Sequence, residues 1–348
     1  MPALILAGIV GISWVVTDRV RKYAERRQIL DLPNSRSLHS RAIPRGGGLG
    51  FVSIILLGLA VLWYLFPMEA TLWLSLLGSV LVAITGWLDD RLSLSSALRI
   101  VIHGLGGLWV VIVLGGLSTV RLGLLELELG VFGGVITWLF VVWLINAYNF
   151  MDGIDGLAAG QAVLAGSVAA LLSLSTPNAG LTWFAALVAA SCAGFLRWNL
   201  PPARLFMGDT GSGFLGYVFA VLALYSESSG GPPLLVWLLL LGVFLVDPTA
   251  TLLRRLVTGE PWHQAHRTHA YQRAVQLGYS HRFVMVAALT ITLVLGLAAW
   301  AVNSRPALAL PTSVIAFGLL LLIWWHVVRQ PLRSEAGGLR SDAVSDRT

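Results

Sequence analysis

The sequence predicts an all-α membrane protein that crosses the bilayer about eleven times. Of its 348 residues, 57% are hydrophobic and only 11% are charged, whereas a soluble domain carries roughly 25% charged residues. A chain this apolar could not cover its surface in water, so a water-soluble enzyme is nearly excluded, as are collagen-like and disordered chains. Its apolar stretches recur at the roughly 20-residue length with which a helix spans a bilayer.

Eleven apolar segments are candidates for these spans, and the first and the eighth are short. They lie at about 3–17, 46–66, 70–88, 98–116, 131–150, 156–174, 178–196, 213–226, 233–251, 283–302 and 307–328. The connections between them leave no room for a separate soluble domain. We therefore expect one polytopic domain over 1–328, followed by a polar tail over 329–348.

Positive charge predicts the orientation of these segments. Of the 23 Lys and Arg residues, 21 fall in one set of alternating loops and only Arg121 and Arg305 in the other. Loops rich in Lys and Arg stay in the cytoplasm. The first segment lacks the leading positive charge of a signal peptide, so we expect a retained helix with its N-terminus outside. This topology explains the sequence pI near 10, and no nucleic-acid partner is expected.

Most carboxylates lie on the side expected to face the cytoplasm. Those in or next to the predicted segments are Asp89 and Asp90 at the end of the third segment, Asp152 and Asp155 after the fifth beside Asn149, Asp209 before the eighth, and Asp247 in the ninth. Carboxylates at the membrane edge are costly and therefore candidates for function. Clustered Asp and Asn, with the single cysteine Cys192 excluding a Cys-based zinc site, suit a hard cation such as Mg²⁺ bound together with substrate phosphates. Helix capping and interfacial solvation are the alternative for any one of them.

Two glycine-rich motifs and one basic stretch could bind phosphate. GGG at 46–48 and GDTGSG at 208–213 each open a predicted helix, where the backbone can approach a phosphate closely. A hinge or tight helix packing explains either motif equally well. The basic stretch Arg36–Arg45 either anchors the chain at the membrane or holds a lipid phosphate.

Three histidines, His263, His266 and His269, recur at intervals of three residues in the last large loop, with Arg267 among them. Contact with phosphate or sugar explains them better than zinc binding does, and a solvated loop is the alternative. Together these groups predict a membrane enzyme that joins a nucleotide-activated group to a lipid phosphate at an Mg²⁺ site. A secondary transporter with an intramembrane cation site is the alternative, and it requires midplane charges and repeated halves.

Five motifs, in order, resemble the polyprenyl-phosphate N-acetylhexosamine-1-phosphate transferases, of the glycosyltransferase family 4 type, over about residues 31–282. They are RSLHSRAIPRGGG, GWLDD, NAYNFMDGIDGLAAG, FMGDTGSGFLG and HRTHAYQR. The resemblance implies a bundle of ten or eleven helices in the bacterial inner membrane with a cytoplasmic active site. It also implies transfer of an N-acetylamino-sugar-1-phosphate from a UDP-sugar to undecaprenyl phosphate, with release of UMP and a requirement for Mg²⁺, for which Mn²⁺ could substitute.

The resemblance also implies roles for individual residues. Asp89, Asp90, Asp152, His266 and His269 are expected to be catalytic, with Asp89 deprotonating or positioning the lipid phosphate. The expected metal ligands are Asp209, Asp90 and Asp155. The residues expected to bind nucleotide, diphosphate or lipid are Asn149, Asp155, Arg267, Arg99 and Arg45.

The histidine motif departs from the family pattern, because many relatives have adjacent histidines preceded by an acidic residue. Here Arg267 and Thr268 separate His266 from His269. The variant resembles the branch that starts O-antigen, and hence lipopolysaccharide, more than the pentapeptide branch. N-acetylglucosamine, a 6-deoxy amino sugar and N-acetylgalactosamine stay open as substrates, and so does the oligomeric state, a homodimer included.

Overall fold

The computed structural model describes residues 2–33, 41–261 and 266–332 and confirms an all-α polytopic membrane protein. The described ranges contain thirteen α-helices. They are α1 Pro2–Arg26, α2 Gly48–Leu65, α3 Ala70–Leu92, α4 Ser96–Leu114, α5 Gly133–Met151, α6 Leu157–Ser173, α7 Ala179–Asn199, α8 Asp209–Ser228, α9 Leu234–Leu240, α10 Gly242–Val257, α11 Ala270–Gln276, α12 His281–Ser304 and α13 Ala309–Arg329. Each of the eleven predicted segments coincides with one helix or, for the ninth, with the pair α9 and α10.

Eight of the described helices are long and apolar enough to cross a membrane, and the α9–α10 pair, bent by 79°, makes a ninth if it counts as one span. The other two predicted segments correspond to α6, which has 17 residues, and to α8, which has polar residues at both ends. Helix α8 is buried from Thr210 to Glu227 and packs against α3 and α5. Because other helices surround it, α8 does not need the uniformly apolar surface of a helix that faces lipid.

Two local features differ from the sequence prediction. The basic run after the first segment, predicted as a loop, stays helical as far as Arg26. Asp18 explains this, because it pairs with Arg21 at 2.8 Å and with Lys22 at 2.7 Å along the same helix face. Two small hairpins were also not predicted: β1 Leu30–Asp31 pairs with β2 Ile43–Pro44, and β3 Thr119–Arg121 pairs with β4 Glu126–Glu128.

Helix α10 is attached to neighbours on both sides. Trp143 of α5 donates a hydrogen bond to Thr249 at 3.0 Å, and Trp324 of α13 donates one to Thr251 at 3.0 Å. The helix therefore lies between α5, which leads into the predicted site, and α13, the last of the described helices.

Candidate active site

Two carboxylates and one arginine from three helices meet at one end of the bundle. Asp89 lies near the end of α3, Arg99 in the first turn of α4, and Asp209 at the start of α8. Nη1 of Arg99 lies 2.8 Å from Asp89 Oδ2 and 3.5 Å from Asp209 Oδ2. One guanidinium thus faces two carboxyl groups, so negative charge is in excess when both of them are ionised.

The turn between α3 and α4 brings Arg99 back to Asp89. Ser93 ends α3 in the left-handed conformation, and the Leu94 N–H donates to Asp89 Oδ1 at 2.6 Å. Ser95 then caps α4 by accepting the Leu98 N–H at 3.3 Å. The Asp89 carboxylate therefore closes the turn with one oxygen and meets the arginine with the other.

Asn149, near the end of α5, completes this group. Its Nδ2 donates to Asp209 Oδ1 at 2.8 Å and to Ser212 Oγ at 3.0 Å. We call Asp89, Arg99, Asn149 and Asp209 the carboxylate cluster. Its members come from positions up to 120 residues apart in the sequence, so the helix packing alone brings them together.

Asp90 holds the start of α8 in place. Its carboxylate accepts the N–H groups of Asp209 at 3.1 Å and Thr210 at 3.2 Å, and the Thr210 hydroxyl at 2.8 Å. The first N–H groups of a helix have no partner inside it, and an anion there is favoured by the helix dipole. Gly208 permits this approach, because a Cβ at that position would lie 2.6 Å from Asp90 Oδ2. The Arg45 guanidinium in turn donates to the Asp90 carbonyl.

The two carboxylates of the DGIDG motif have different surroundings. Asp155 is buried, and it accepts the Ala203 N–H at 2.9 Å and lies 3.3 Å from His281 Nδ1. Asp152 is partly buried at the end of α5, and no described residue pairs with its carboxylate. Burial raises the pKa of Asp152 well above its ordinary value, and the charge of Asp209 raises it further.

A bound cation would relieve this excess of negative charge. No group of three or more His, Cys, Asp or Glu side chains in the described ranges is arranged to hold a metal. The expected trio of Asp90, Asp155 and Asp209 is therefore not a preformed cage there: Asp90 caps α8, and Asp155 faces Ala203 and His281. Mg²⁺, however, is usually bound by one or two carboxylates plus substrate phosphates. Asp89 and Asp209, which share one arginine, fit that requirement.

Asp247 positions residues 266–271, which carry His266 and His269 and which we call the histidine segment. Its carboxylate accepts the N–H groups of Ala270 at 2.9 Å and Tyr271 at 3.1 Å, and it lies 3.5 Å from Nδ1 of the buried His269. The Tyr271 hydroxyl donates to the Phe150 carbonyl at 2.8 Å. The start of α11 is thereby attached both to α10 and to the end of α5, which carries Asn149.

The two described histidines of the motif lie next to each other. The His266 and His269 ring centroids are 4.9 Å apart, and Nδ1 of His266 lies 2.9 Å from the Thr268 hydroxyl. Burial lowers the pKa of His266 to about 4, with His269 and Arg255 adding to the effect, so its ring is neutral at pH 7. The side chain of Arg267 is exposed. Two further predicted contacts, Arg36 and His263, lie outside the described residues.

The glycines of the first motif pack against the second. The N–H groups of Gly47 and Gly48 donate to the carbonyls of Phe206 at 2.9 Å and Met207 at 2.8 Å. A Cβ on Gly48 would lie 2.4 Å from the Gly211 nitrogen. In this structure these two glycines therefore serve close packing, which was the alternative to phosphate binding.

Sequence reasoning missed two residues that hold the site together. Thr210 binds Asp90 through its N–H and hydroxyl groups, and Tyr271 joins the histidine segment to α5. A signal for Thr210 was present, because a helix that opens with GDTGSG has unpartnered N–H groups and needs an external acceptor. Nothing in the sequence pointed to Tyr271.

The fold and site define a multi-pass membrane protein with acidic, basic and amide groups gathered at the ends of its helices. A profile described as glycosyl transferase family 4 matches residues 72–227. The chain is 31% identical over 313 residues to a Bacillus subtilis protein described as a "probable undecaprenyl-phosphate N-acetylglucosaminyl 1-phosphate transferase", covering 87% of this chain and 86% of that protein. The chain belongs to this family of polyprenyl-phosphate sugar-1-phosphate transferases.

Two further relatives have related descriptions. An Escherichia coli undecaprenyl-phosphate alpha-N-acetylglucosaminyl 1-phosphate transferase is 32% identical over 284 residues, with 76% of this chain and 75% of that protein covered. A Mycobacterium leprae decaprenyl-phosphate N-acetylglucosaminephosphotransferase is 28% identical over 325 residues, with 81% and 79% covered.

Proposed function

We propose that this protein transfers an N-acetylamino-sugar-1-phosphate from a UDP-sugar to undecaprenyl phosphate, releases UMP and so starts a lipid-linked glycan. The observation that carries the proposal is the carboxylate cluster, in which Asp89, Arg99, Asn149 and Asp209 meet at helix ends. The descriptions of the relatives support a polyprenyl phosphate acceptor and make N-acetylglucosamine the first sugar to test. The O-antigen pathway stays a prediction from the histidine motif.

In the proposed reaction, an oxygen of the lipid phosphate attacks the β-phosphorus of the UDP-sugar, and the bond from that phosphorus to the bridging oxygen breaks as UMP leaves. Phosphoryl transfer depends mainly on positioning and on neutralising charge. Arg99 lies where it can orient a phosphate, and Asp89 can accept the proton of the lipid phosphate or orient it. Bound Mg²⁺ would neutralise phosphate charge, held by Asp209 and Asp89.

The surrounding residues have positioning roles in this proposal. Asn149 fixes the Asp209 carboxylate, and Asp90 fixes the helix that carries it. The neutral His266 ring and the buried His269 contact diphosphate or sugar in this proposal, and Arg267 lies between them in an exposed position. We place this end of the bundle at the cytoplasmic face of the bacterial inner membrane, because most Lys and Arg lie on that side.

Isotope exchange tests the reaction directly. Purified protein should exchange labelled UMP into UDP-N-acetylglucosamine only when undecaprenyl phosphate and Mg²⁺ are both present. EDTA should abolish the exchange, and Mn²⁺ should restore part of it. A panel of UDP-N-acetylamino sugars identifies the donor. Absence of exchange with every member, or full turnover in EDTA, would refute the proposal.

A further inference from the structure

A long apolar groove lies between α10 and α13, with a volume of about 910 Å³. Leu253, Val257, Leu321 and Trp325 line it, and all four side chains are largely exposed. In a membrane protein such an apolar surface is suited to contact with lipid chains, and here the two helices form a concave wall.

The groove carries positive charge at the ends of both helices that form it. Arg254 lies in the last turn of α10, and Arg329 is the last residue of α13. The Arg329 guanidinium lies 3.6 Å from the centre of the Trp325 ring. Glu260, the acidic partner of Arg254 in the described chain, lies 3.9 Å away and pairs more closely with Arg255, at 2.8 Å. Within the part of the chain that the structure describes, positive charge at this end of the groove is therefore only partly balanced.

We propose that this groove binds an anionic phospholipid, with one acyl chain along the apolar wall and the phosphate between Arg254 and Arg329. Basic pockets between membrane helices on the cytoplasmic side are suited to such headgroups. The acceptor lipid is a different occupant, because its phosphate has to reach Asp89 and Asp209 to react. No contact of Arg254 or Arg329 within the described residues reaches the carboxylate cluster, whereas a phospholipid headgroup only has to stay at the rim.

Both walls of the groove hold the histidine segment. Helix α10 does so through Asp247, which binds the N–H groups at the start of α11. The end of α13 does so through the Gln330 carbonyl, which accepts a hydrogen bond from Arg273 of α11 at 2.6 Å. A lipid that bridges α10 and α13 therefore stabilises the position of His269. This consequence for turnover rests on the proposed function, whereas the binding site does not.

Lipid retention by the purified full-length chain tests the site without reference to activity. Phosphatidylglycerol and phosphatidylcholine are titrated against the detergent-solubilised protein, and bound lipid is counted by native mass spectrometry. The double variant Arg254→Gln/Arg329→Gln should lose about thirtyfold in affinity for phosphatidylglycerol, the equivalent of about 1 kcal/mol for each arginine. Its affinity for phosphatidylcholine should not change.

The matched control is Arg19→Gln/Arg26→Gln, which removes two exposed arginines from α1. It removes the same charge and should keep wild-type retention. Leu253→Trp, which fills the groove and leaves both arginines in place, should also lower phosphatidylglycerol binding. Equal loss in both double variants, or full retention in Leu253→Trp, would contradict the proposal.

Turnover in nanodiscs separates this lipid from the acceptor. Phosphatidylglycerol added to phosphatidylcholine should stimulate the wild type and the α1 control, and it should not stimulate the groove variant. The KM for undecaprenyl phosphate in phosphatidylcholine alone should be the same in all three. A raised KM in the groove variant would identify the groove as the acceptor site and overturn the proposal. If no sugar supports turnover, the proposed function fails, and lipid retention still decides on the groove.

Discussion

Helix α8 carries one carboxylate at each end, and the two differ in burial and in hydrogen bonding. Glu227 near its C-terminus has a side chain only 2% exposed, and it accepts hydrogen bonds from the Arg121 N–H and Nε and from the Leu234 N–H. Asp209 at its N-terminus has a side chain 36% exposed and shares one arginine with Asp89. A structural carboxylate is buried with its hydrogen bonds satisfied, whereas a carboxylate with acceptor capacity left over is available to a ligand.

Replacing Asp209, the partly exposed carboxylate at the N-terminus of α8, should have the largest effect on activity. Asp209→Asn should lower UMP exchange on the order of 100- to 1,000-fold, because a proposed ligand of the Mg²⁺ that neutralises phosphate charge is lost. The melting temperature in detergent should stay the same or rise, since the substitution removes repulsion with Asp89. A loss of activity together with a lower melting temperature would show that Asp209 has a structural role like that of Glu227.

Asp89→Asn tests whether the second carboxylate of the cluster takes part in chemistry or only in binding. The variant should still bind UDP-sugar, yet turn over about 100-fold more slowly, because the lipid phosphate loses its base or orienting group. Equilibrium binding of labelled UDP-sugar and the exchange rate give the two numbers separately. A phosphorylated protein trapped after addition of UDP-sugar alone would show a two-step path and overturn direct attack by the lipid.

At the other end of α8, Glu227→Gln should show the reverse pattern. It removes the charge from a buried pair and leaves Arg121 without its counter-ion, a change that costs about 3 kcal/mol. The melting temperature should therefore fall, while exchange per folded molecule at low temperature stays near the wild-type value. A large loss of specific activity with unchanged stability would break the comparison between the two ends.

The contacts around α8 also show which parts of the fold and site the sequence could predict and which it could not. The length of the apolar stretches located all eleven segments, because a bilayer sets a similar length for every span. The motif spacing indicated Asp89 and Asp209, but nothing in it indicated that Asp90 would cap α8 or that Asp155 would face His281. Those roles depend on how the start of α8 packs on α3, where a Cβ on Gly86 would lie 2.4 Å from the backbone of Asp209. Contacts between distant segments at that scale are set by tertiary packing, which local patterns do not encode.

The smallest expected effect concerns His266, which the fold holds in its neutral form. Because burial lowers its pKa to about 4 from an ordinary value of about 6.5, the unfolded chain binds more protons than the folded protein between those values. His266 therefore makes the protein less stable as the pH falls through this window. His266→Gln should flatten the decline in melting temperature between about pH 6.5 and 4, whereas His326→Gln, at an exposed position on α13, should not. Identical curves for wild type and His266→Gln would mean that the ring is free to take up a proton in the folded state. The neutral state of the His266 ring would then no longer distinguish the histidine segment from the carboxylate cluster.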